Sequence, residues 1–511
     1  MLRLMMLTNA HRTHHEQRLA KNLLHNRVSF LAMTNGTNSD SAHGAAGSGT
    51  AGSGAAGSGA AGSGAADSPS GKPANGAAAK RGFAAKLRAS LATTAAKGAT
   101  WASRKTGRGA GGMIGGMVAQ RIDPRILASL SRNRPAAIIT GTNGKSTTTR
   151  MFAAAMRAAS HSVATNEGGD NMDAGVISAL LATPDADCLV LEVDELHVAH
   201  ISADLKPEVI VLLNLSRDQL DRVGEINKIE ATLRTAVEEN PQATIIANCD
   251  DPLITSAAWD APNVVWVSAG GGWTNDATSS PRTGGPIIYD GNHWYATKPL
   301  PDGSRFERPT PAWSIDSAGV TTPTGATVPL SLTLPGNANR GNATMAIAGA
   351  ATMGAEVATA LAATEAVDNV AGRYSRVSVP GQGGDLKSVR MLLAKNPAGW
   401  QEALSMVDRE ADAVVIAVNG HVADGEDLSW LWDVRFEDFD GMDVIAAGER
   451  GTDLAVRLRY AGIEAELIPD PLTAISSRAA GITRVEVLAN YTAFRDLKRN
   501  MQRVQAGDHN E

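Results

Sequence analysis

Apolar residues in this chain gather in short unbroken runs that stop abruptly at polar residues. Ala136–Ile139 runs into Thr140-Gly141, Cys188–Leu191 into Glu192, Val209–Leu213 into Asn214, and Ile245–Ala247 into Asn248. Such runs, with no polar alternation, mark strands covered on both faces, as in a parallel sheet. Between them lie helical stretches, of which the Ala-rich Thr148–Ala159 is the clearest. Alternating strands and helices predict an α/β domain with a parallel sheet. The pattern returns in Ala413–Val418, Met442–Ala447 and Arg484–Leu488, which predicts a second α/β domain at the C-terminus. Ligands of open parallel sheets bind at the carboxyl ends of the strands, so the polar residues that end each run are the first candidates for function.

The first eighty residues have a different character. Ala45–Gly64 holds four copies of a five-residue Ala/Thr-Ala-Gly-Ser-Gly unit, flanked by small and polar residues. Such a segment buries too little apolar surface to offset its ordering entropy, so residues 1–80 are expected to be a disordered tail. No signal peptide is evident, and Met33 is an alternative start of translation. From Lys80 the chain turns basic. Lys80, Arg81, Lys86, Arg88, Lys97, Arg104, Lys105 and Arg108 occur with no acid among them. Phe83, Leu87 and Leu91 repeat every four residues and form one helical stripe. Two readings stand: a helix packed on the next domain, or a basic face that meets an anionic membrane surface or a diphosphate substrate.

Charge and composition narrow the classes of function. The 511 residues carry 47 Lys+Arg against 53 Asp+Glu, a net −6, unlike a general nucleic-acid binder. Two cysteines, Cys188 and Cys249, cannot build a disulfide framework or a four-thiolate metal site, which points to a reduced, cytoplasmic setting. No apolar run approaches the roughly 20 residues of a membrane span.

The strongest chemical signal is Gly141-Thr142-Asn143-Gly144-Lys145-Ser146-Thr147, between the first predicted strand and the first predicted helix. Strand, glycine loop, Lys-Ser/Thr and helix make a phosphate-binding loop: backbone N–H groups and the helix N-terminus face phosphate oxygens. Lys145 is expected on the β- and γ-phosphates, with Ser146 or Thr147 on Mg²⁺. The usual pattern has glycine five residues before Gly144; here that residue is Ile139, so the loop is a shortened variant. Mg²⁺ takes hard oxygen ligands, and Glu192, ahead of Asp194 and Glu195, is the best carboxylate candidate, with helix capping as the alternative.

These residues resemble the ATP loop and strand ends of the Mur ligases. The likeness includes Asn214…Asp218-Gln219-Leu220-Asp221, Asn248…Asp250-Asp251-Pro252, Leu334-Pro335-Gly336…Asn339…Asn342-Ala343 and Gly372-Arg373. Gln219 stands where Mur ligases carry His, as in MurT-type proteins. The resemblance to MurT continues through Leu393–Trp400, Ala423–Asp433 and Tyr491-Thr492-Ala493, and covers roughly residues 81–502. It implies a Mur-ligase-like central ATP-binding domain (residues 81–376, with an insertion at about 268–313) and a MurT-type, partner-binding C-terminal domain (residues 377–511). It implies ATP and Mg²⁺ as cofactors. ATP would be held by Gly141–Thr147, Asn248, Asp251 and Arg373, and Mg²⁺ by Ser146 and Glu192.

The family's reaction is amidation. ATP phosphorylates the α-carboxyl of D-Glu in the lipid II stem peptide, and ammonia then displaces phosphate to leave D-isoglutamine. Cys188 and Cys249 lie in or beside apolar strands without a nearby His, so ammonia must come from a second chain, a GatD-like glutamine amidotransferase, or be taken up free. In the family an Asp of the C-terminal domain completes the partner's Cys-His pair. Asp424 is the first choice here, then Asp427 and Asp433, with turn or helix capping as the alternative; His421 reads as a loop histidine. The Trp-rich segment Ala423–Asp433 is expected as a loop at the protein interface. Many MurT-like proteins carry a four-cysteine zinc ribbon in the insertion. Here Ser280 and Thr283 replace the first cysteine pair, and hydroxyls do not replace thiolates at tetrahedral zinc. The expectation is a zinc-free hairpin held by Tyr289, Trp294 and Trp313. Two other classes remain: an amino-acid-adding ligase of the Mur or folylpolyglutamate type, and a nucleotide-binding scaffold without turnover.

Overall fold

The computed structural model describes residues 75–105, 113–166, 169–217, 225–270, 276–368, 374–381, 384–421, 424–425, 427–439, 442–479 and 481–505. Most of the expected N-terminal tail lies outside them. A helix begins at Asn75 rather than after residue 80, because an alanine run propagates helix as readily as the basic segment that follows.

Three helices lead in: α1 (Asn75–Lys105), α2 (Ile114–Ile122) and α3 (Ile126–Ser131). The face of α1 that is buried is lined by Ala92 and Ala96, whereas Leu91, from the expected apolar stripe, is exposed. Small residues allow α2 to lie close to its neighbours. A Cβ on Gly115 would stand 2.3 Å from Thr100 Oγ1 of α1, and one on Gly116 1.8 Å from the Ala174 carbonyl.

The central sheet follows. Strands β1 (Ala136–Thr140), β2 (Val163–Ala164), β3 (Cys188–Glu192), β4 (Val209–Leu212), β5 (Thr244–Asn248), β6 (Val264–Ser268), β9 (Trp313–Ile315), β10 (Val320–Thr321) and β11 (Thr327–Val328) lie in the order β11-β10-β9-β6-β5-β4-β1-β3-β2. All pairs are parallel except those of β10 with β9 and β11. The crossovers include α4 (Lys145–Ala158), α5 (Asp173–Ala182), α6 (Val198–Leu205), α7 (Glu225–Glu238) and α8 (Pro252–Ala258). One face of the sheet is covered by α9 (Asn337–Thr352) and α10 (Val357–Glu365) packed with α4, around Phe152, Met151 and Ile347. The hairpin β7 (Ile287–Asp290) and β8 (His293–Ala296) stands apart from the sheet.

A second sheet begins at β12 (Tyr374–Pro380), followed by β13 (Leu386–Leu393), α11 (Pro397–Met406), β14 (Ala413–Ala417), β15 (Val444–Ala447), α12 (Gly451–Tyr460), β16 (Ala465–Leu467), α13 (Pro471–Ser476), β17 (Arg484–Ala489) and α14 (Tyr491–Gln505). Its order is β12-β13-β17-β14-β15-β16, parallel but for β12. The sequence does not announce the antiparallel β12–β13 hairpin, since β13 buries Lys387 and exposes Leu386, so polarity does not mark its covered face. The expected loop Ala423–Asp433 contains a short 3₁₀ turn, Ser429–Trp432. There Trp430 is buried and stacks on Trp400 at 5.4 Å, leaving Trp432 as the exposed tryptophan. Among the described residues no helix is long and apolar enough to cross a membrane.

Candidate functional site

The loop between β1 and α4 is shaped by its two glycines. Gly141 has φ +135°, and a Cβ there would lie 2.9 Å from both the backbone N and O of Asn214. Gly144 has φ +87°, and a Cβ would meet Asn342 Oδ1 at 2.4 Å. The end of β4 braces the loop. Thr142 N donates to Asn214 O at 2.8 Å, Asn143 N donates to Asn214 Oδ1 at 2.9 Å, and Asn214 Nδ2 donates back to Asn143 O at 3.0 Å. No side chain caps α4, so its first N–H groups are left for an anion.

Lys145 is buried at the start of α4. Its Nζ donates to Gly141 O at 2.6 Å and to Glu195 Oε2 at 3.1 Å. Ser146 is half-buried and Thr147 buried beside it. Glu195 follows β3 and had no assigned role in the sequence; its pairing with Lys145, fifty residues away, is visible only in three dimensions.

Glu192 ends β3 with its backbone clamped by one side chain. Asn166 Nδ2 donates to Glu192 O, and Glu192 N donates to Asn166 Oδ1, both at 2.8 Å. Glu192 Oε1 accepts from Asn171 Nδ2 at 3.2 Å, while the buried Oε2 has no hydrogen-bond partner. An unpartnered, buried carboxylate oxygen beside a phosphate loop can take a hard cation. Among the described residues no three His, Cys, Asp or Glu side chains form a metal cluster. An ion at Glu192 would therefore draw its other ligands from a loop hydroxyl, phosphate oxygens and water.

A cavity of about 460 Å³ opens beside the loop. Asn143, Asn214, Ser216, Asn248 and Asp251 line one side and Asn342 of α9 another. Ala398, Gln401, Glu402 and Arg435 close it from the second sheet's side. That volume suits a small-molecule ligand. Asn248 and Asp251 help to shape it, but their polar atoms are already engaged by protein. Asn248 Nδ2 donates to Leu213 O at 3.0 Å, and Asn248 Oδ1 accepts from Asp250 N at 3.0 Å. Asp251 caps α8 by accepting from Leu253 N and Ile254 N, and its other oxygen accepts from Leu215 N at 2.7 Å. Burial pushes its carboxyl up to about 6, against these three N–H donors. Arg373, Gln219 and the rest of Asp218–Asp221 lie outside the described residues.

The Asp candidates of the C-terminal domain separate. Asp424 Oδ1 accepts from Thr492 N at 2.9 Å, and Asp424 Oδ2 accepts from Thr492 Oγ1. This places Asp424 at the start of α14, near the carboxyl end of β17. Asp427 is exposed and accepts from Ser429 N at 2.8 Å, which holds its carboxyl below the usual range. Asp433 faces the first domain instead, 3.6 Å from Arg217 Nη2, and Arg217 also pairs with Asp276. His421 is exposed, 3.7 Å from Glu449. Burial, with like charge from Asp187 and Asp250 respectively, pushes both Cys188 and Cys249 up to about 12, so neither offers a thiolate near neutrality.

In the insertion, Ser280 Oγ accepts from Arg282 N and Thr283 N, and Thr283 Oγ1 accepts from Gly285 N. These hydroxyls thus organise the turn. Trp294 is buried against Phe306, with Trp259 beside them, and donates Nε1–H to Cys249 O at 2.9 Å. Tyr289 packs on this cluster, but Trp313 belongs to β9 and the core of the main sheet, so it does not hold the hairpin.

Comparison with known proteins places both halves. Residues 139–288 match the Mur ligase middle domain, and residues 393–494 match the MurT ligase C-terminal domain. The chain is 28% identical over 452 residues to the MurT subunit of lipid II isoglutaminyl synthase (glutamine-hydrolyzing) from Streptococcus pneumoniae, covering 82% of this chain and 99% of that one. It is 27% identical over 430 residues to the Staphylococcus aureus MurT subunit, covering 80% and 96%. Among solved structures, a pseudomurein peptide ligase type C from Methanothermus fervidus shares the fold, with a TM-score of 0.57 at 15% identity over 75% of this chain and 81% of that one. The loop, the two-sheet architecture and the match along almost the whole length of these relatives agree: the chain is similar to MurT subunits, with a Mur ligase middle domain and a MurT-type C-terminal domain.

Proposed function

We propose that this chain is the synthetase subunit of a lipid II isoglutaminyl synthase, which uses ATP to amidate the D-Glu α-carboxyl of the lipid II stem peptide. The observation that carries this reading is the match to MurT subunits along almost their whole length, including the C-terminal domain. That domain match also sets aside an amino-acid-adding ligase.

The chemistry suits the site. A carboxylate is a poor electrophile, so its oxygen first takes the γ-phosphoryl group of ATP, releasing ADP and leaving an acyl phosphate. Ammonia then attacks the acyl carbon, phosphate departs, and loss of a proton leaves the amide. Lys145 supplies positive charge to the phosphates as charge moves between oxygens. To reach them its Nζ must leave Glu195, and the phosphates replace that counter-charge. The N–H groups of Gly144, Lys145 and Ser146 at the start of α4 hold phosphate oxygens, and the cavity beside Asn143 and Asn342 takes the nucleoside. Glu192 and Ser146 would hold Mg²⁺, which when bound neutralises phosphate charge.

No thiolate of this chain can release ammonia from glutamine, so the proposed source is a glutaminase partner docked on the C-terminal domain near Asp424. A carboxylate has more lone pairs than Thr492 uses, which leaves Asp424 able to orient a partner's His. The test is mass spectrometry of lipid II after incubation with ATP, Mg²⁺ and ammonium chloride. Replacement of OH by NH₂ that falls by roughly 10²–10³-fold in Lys145→Ala supports the reading. An unchanged lipid II mass, with ammonia or with the partner and glutamine, overturns it.

A further inference from the structure

We propose that the exposed face of α1 and α2 is the surface on which this protein rests against an anionic lipid bilayer. Residues 75–125 hold ten Lys and Arg and a single acid, Asp123, in a chain whose net charge is −6. Asp123 is buried and accepts from Arg125 N, so it does not offset the cations at the surface. The two helices pack through Ala96, Thr100 and Gly115, which turns their other faces outward.

Those outward faces pair cations with large apolar side chains. On α1, Trp101 is 65% exposed and Leu91 59%, with Arg88, Lys97 and Lys105 exposed around them. Lys105 Nζ lies 5.0 Å from the centre of the Trp101 ring. On α2, Met117 and Ile122 are exposed beside Arg121. Ala92 and Ala96 bury the inner face of α1, so Leu91 and Trp101 are not needed for the core. Tryptophan and leucine among lysines and arginines are the composition of a helix lying in the lipid interface. The cations meet acidic headgroups there, and the apolar side chains enter the acyl boundary. A nucleic-acid surface would share the positive charge but has no use for exposed Leu91, Met117 and Ile122. The proposed reaction gives this surface its purpose, since it would bring the site to a lipid-linked substrate, but the surface itself does not depend on that reading.

The test is co-sedimentation of the full chain with vesicles of phosphatidylcholine alone and of phosphatidylcholine with one third phosphatidylglycerol. Binding is expected to favour the anionic vesicles and to weaken with salt. Lys97→Gln/Lys105→Gln/Arg121→Gln, three exposed changes, should lower partition onto anionic vesicles on the order of 100-fold. Trp101→Ser should lower it several-fold with the charge intact, and both variants should keep the wild-type Tm. Equal binding to both vesicle types, or variants that bind as well as wild type, would overturn the proposal. Amidation of detergent-solubilised lipid II by wild type and variants separates the two readings. Vesicle binding lost in the triple variant with equal turnover in micelles supports the surface. No turnover by any of them counts against the proposed reaction and leaves the vesicle result standing.

Discussion

Lys145 Nζ and Glu195 Oε2 lie 3.1 Å apart in a place where each side chain is about a tenth exposed. Glu195 thus balances the charge of the loop lysine before any phosphate arrives. Glu195→Gln leaves that charge without its partner and should lower the stability of the ligand-free protein by about 1–3 kcal/mol. A triphosphate supplies the missing counter-charge, so Mg²⁺ with a non-hydrolysable ATP analogue should raise the Tm of Glu195→Gln more than that of wild type. Equal shifts in the two proteins would show that Glu195 and the phosphates do not exchange places on Lys145.

Glu192 has one oxygen held by Asn171 and one without a partner. Asn171→Ala keeps the carboxylate but removes the group that orients it. The Mg²⁺ concentration for half-maximal rate should then rise by roughly 10–100-fold, as it does when the support of a metal ligand is lost. Glu192→Gln should impair the reaction at any Mg²⁺ concentration. An unchanged Mg²⁺ dependence in Asn171→Ala would place the ion elsewhere.

Asp251 titrates at about 6 in the folded protein, against 3.8 for an ordinary Asp. Between those values the native state keeps a proton that the unfolded chain has released. Its carboxyl is therefore without cost below about 4 and destabilises the fold increasingly up to about 6, with the full penalty above. Asn caps a helix well and does not titrate. The Tm of wild type relative to Asp251→Asn should rise as pH falls from about 7 to about 4. A constant difference would mean that burial does not disfavour the Asp251 charge.

Asp424 accepts from Thr492 at the start of α14 and is the residue proposed to orient a partner's histidine. Asp424→Asn keeps the shape and can still accept from Thr492 N. Glutamine-dependent amidation in the complex should fall, while ammonia-dependent amidation and Tm stay near wild type. Equal loss of both activities would make Asp424 a structural residue only.

The insertion should hold without zinc, because Ser280 and Thr283 already supply the turn's acceptors and Trp294 and Phe306 its core. Chelator should leave Tm unchanged, and metal analysis should find no stoichiometric zinc. Trp294→Ala should cost about 3–5 kcal/mol, as for a buried aromatic in a small core. Stoichiometric zinc in the purified protein would contradict this account.

The parallel strands and the phosphate loop were legible because each is local. Short β-branched-rich apolar runs that end in a polar residue and alternate with helical stretches mark the strands of a parallel sheet, and Gly141–Thr147 carries its own geometry. Partnerships between distant residues were not legible. Glu195 on Lys145, Asn342 under Gly144 and Asn396 against Asn143 depend on how helices from three parts of the chain converge. Trp313 misled because a tryptophan near an insertion fits the insertion's core as well as the main sheet. Of the Phe83-Leu87-Leu91 stripe, the side chains of Phe83 and Leu87 lie outside the described residues, and Leu91 is exposed because alanines bury the other face of α1. Asn248 and Asp251 carry the family's pattern at the cavity, yet their polar atoms hold strand ends and a helix cap.

The central claim is that ATP activates the D-Glu carboxyl as an acyl phosphate. The most direct measurement uses lipid II with ¹⁸O in that carboxyl, incubated with the protein, ATP, Mg²⁺ and ammonium chloride. The account predicts amidated lipid II together with inorganic phosphate that carries one ¹⁸O, both lost in Lys145→Ala. Phosphate free of ¹⁸O, or ATP hydrolysis without the amide, would contradict it.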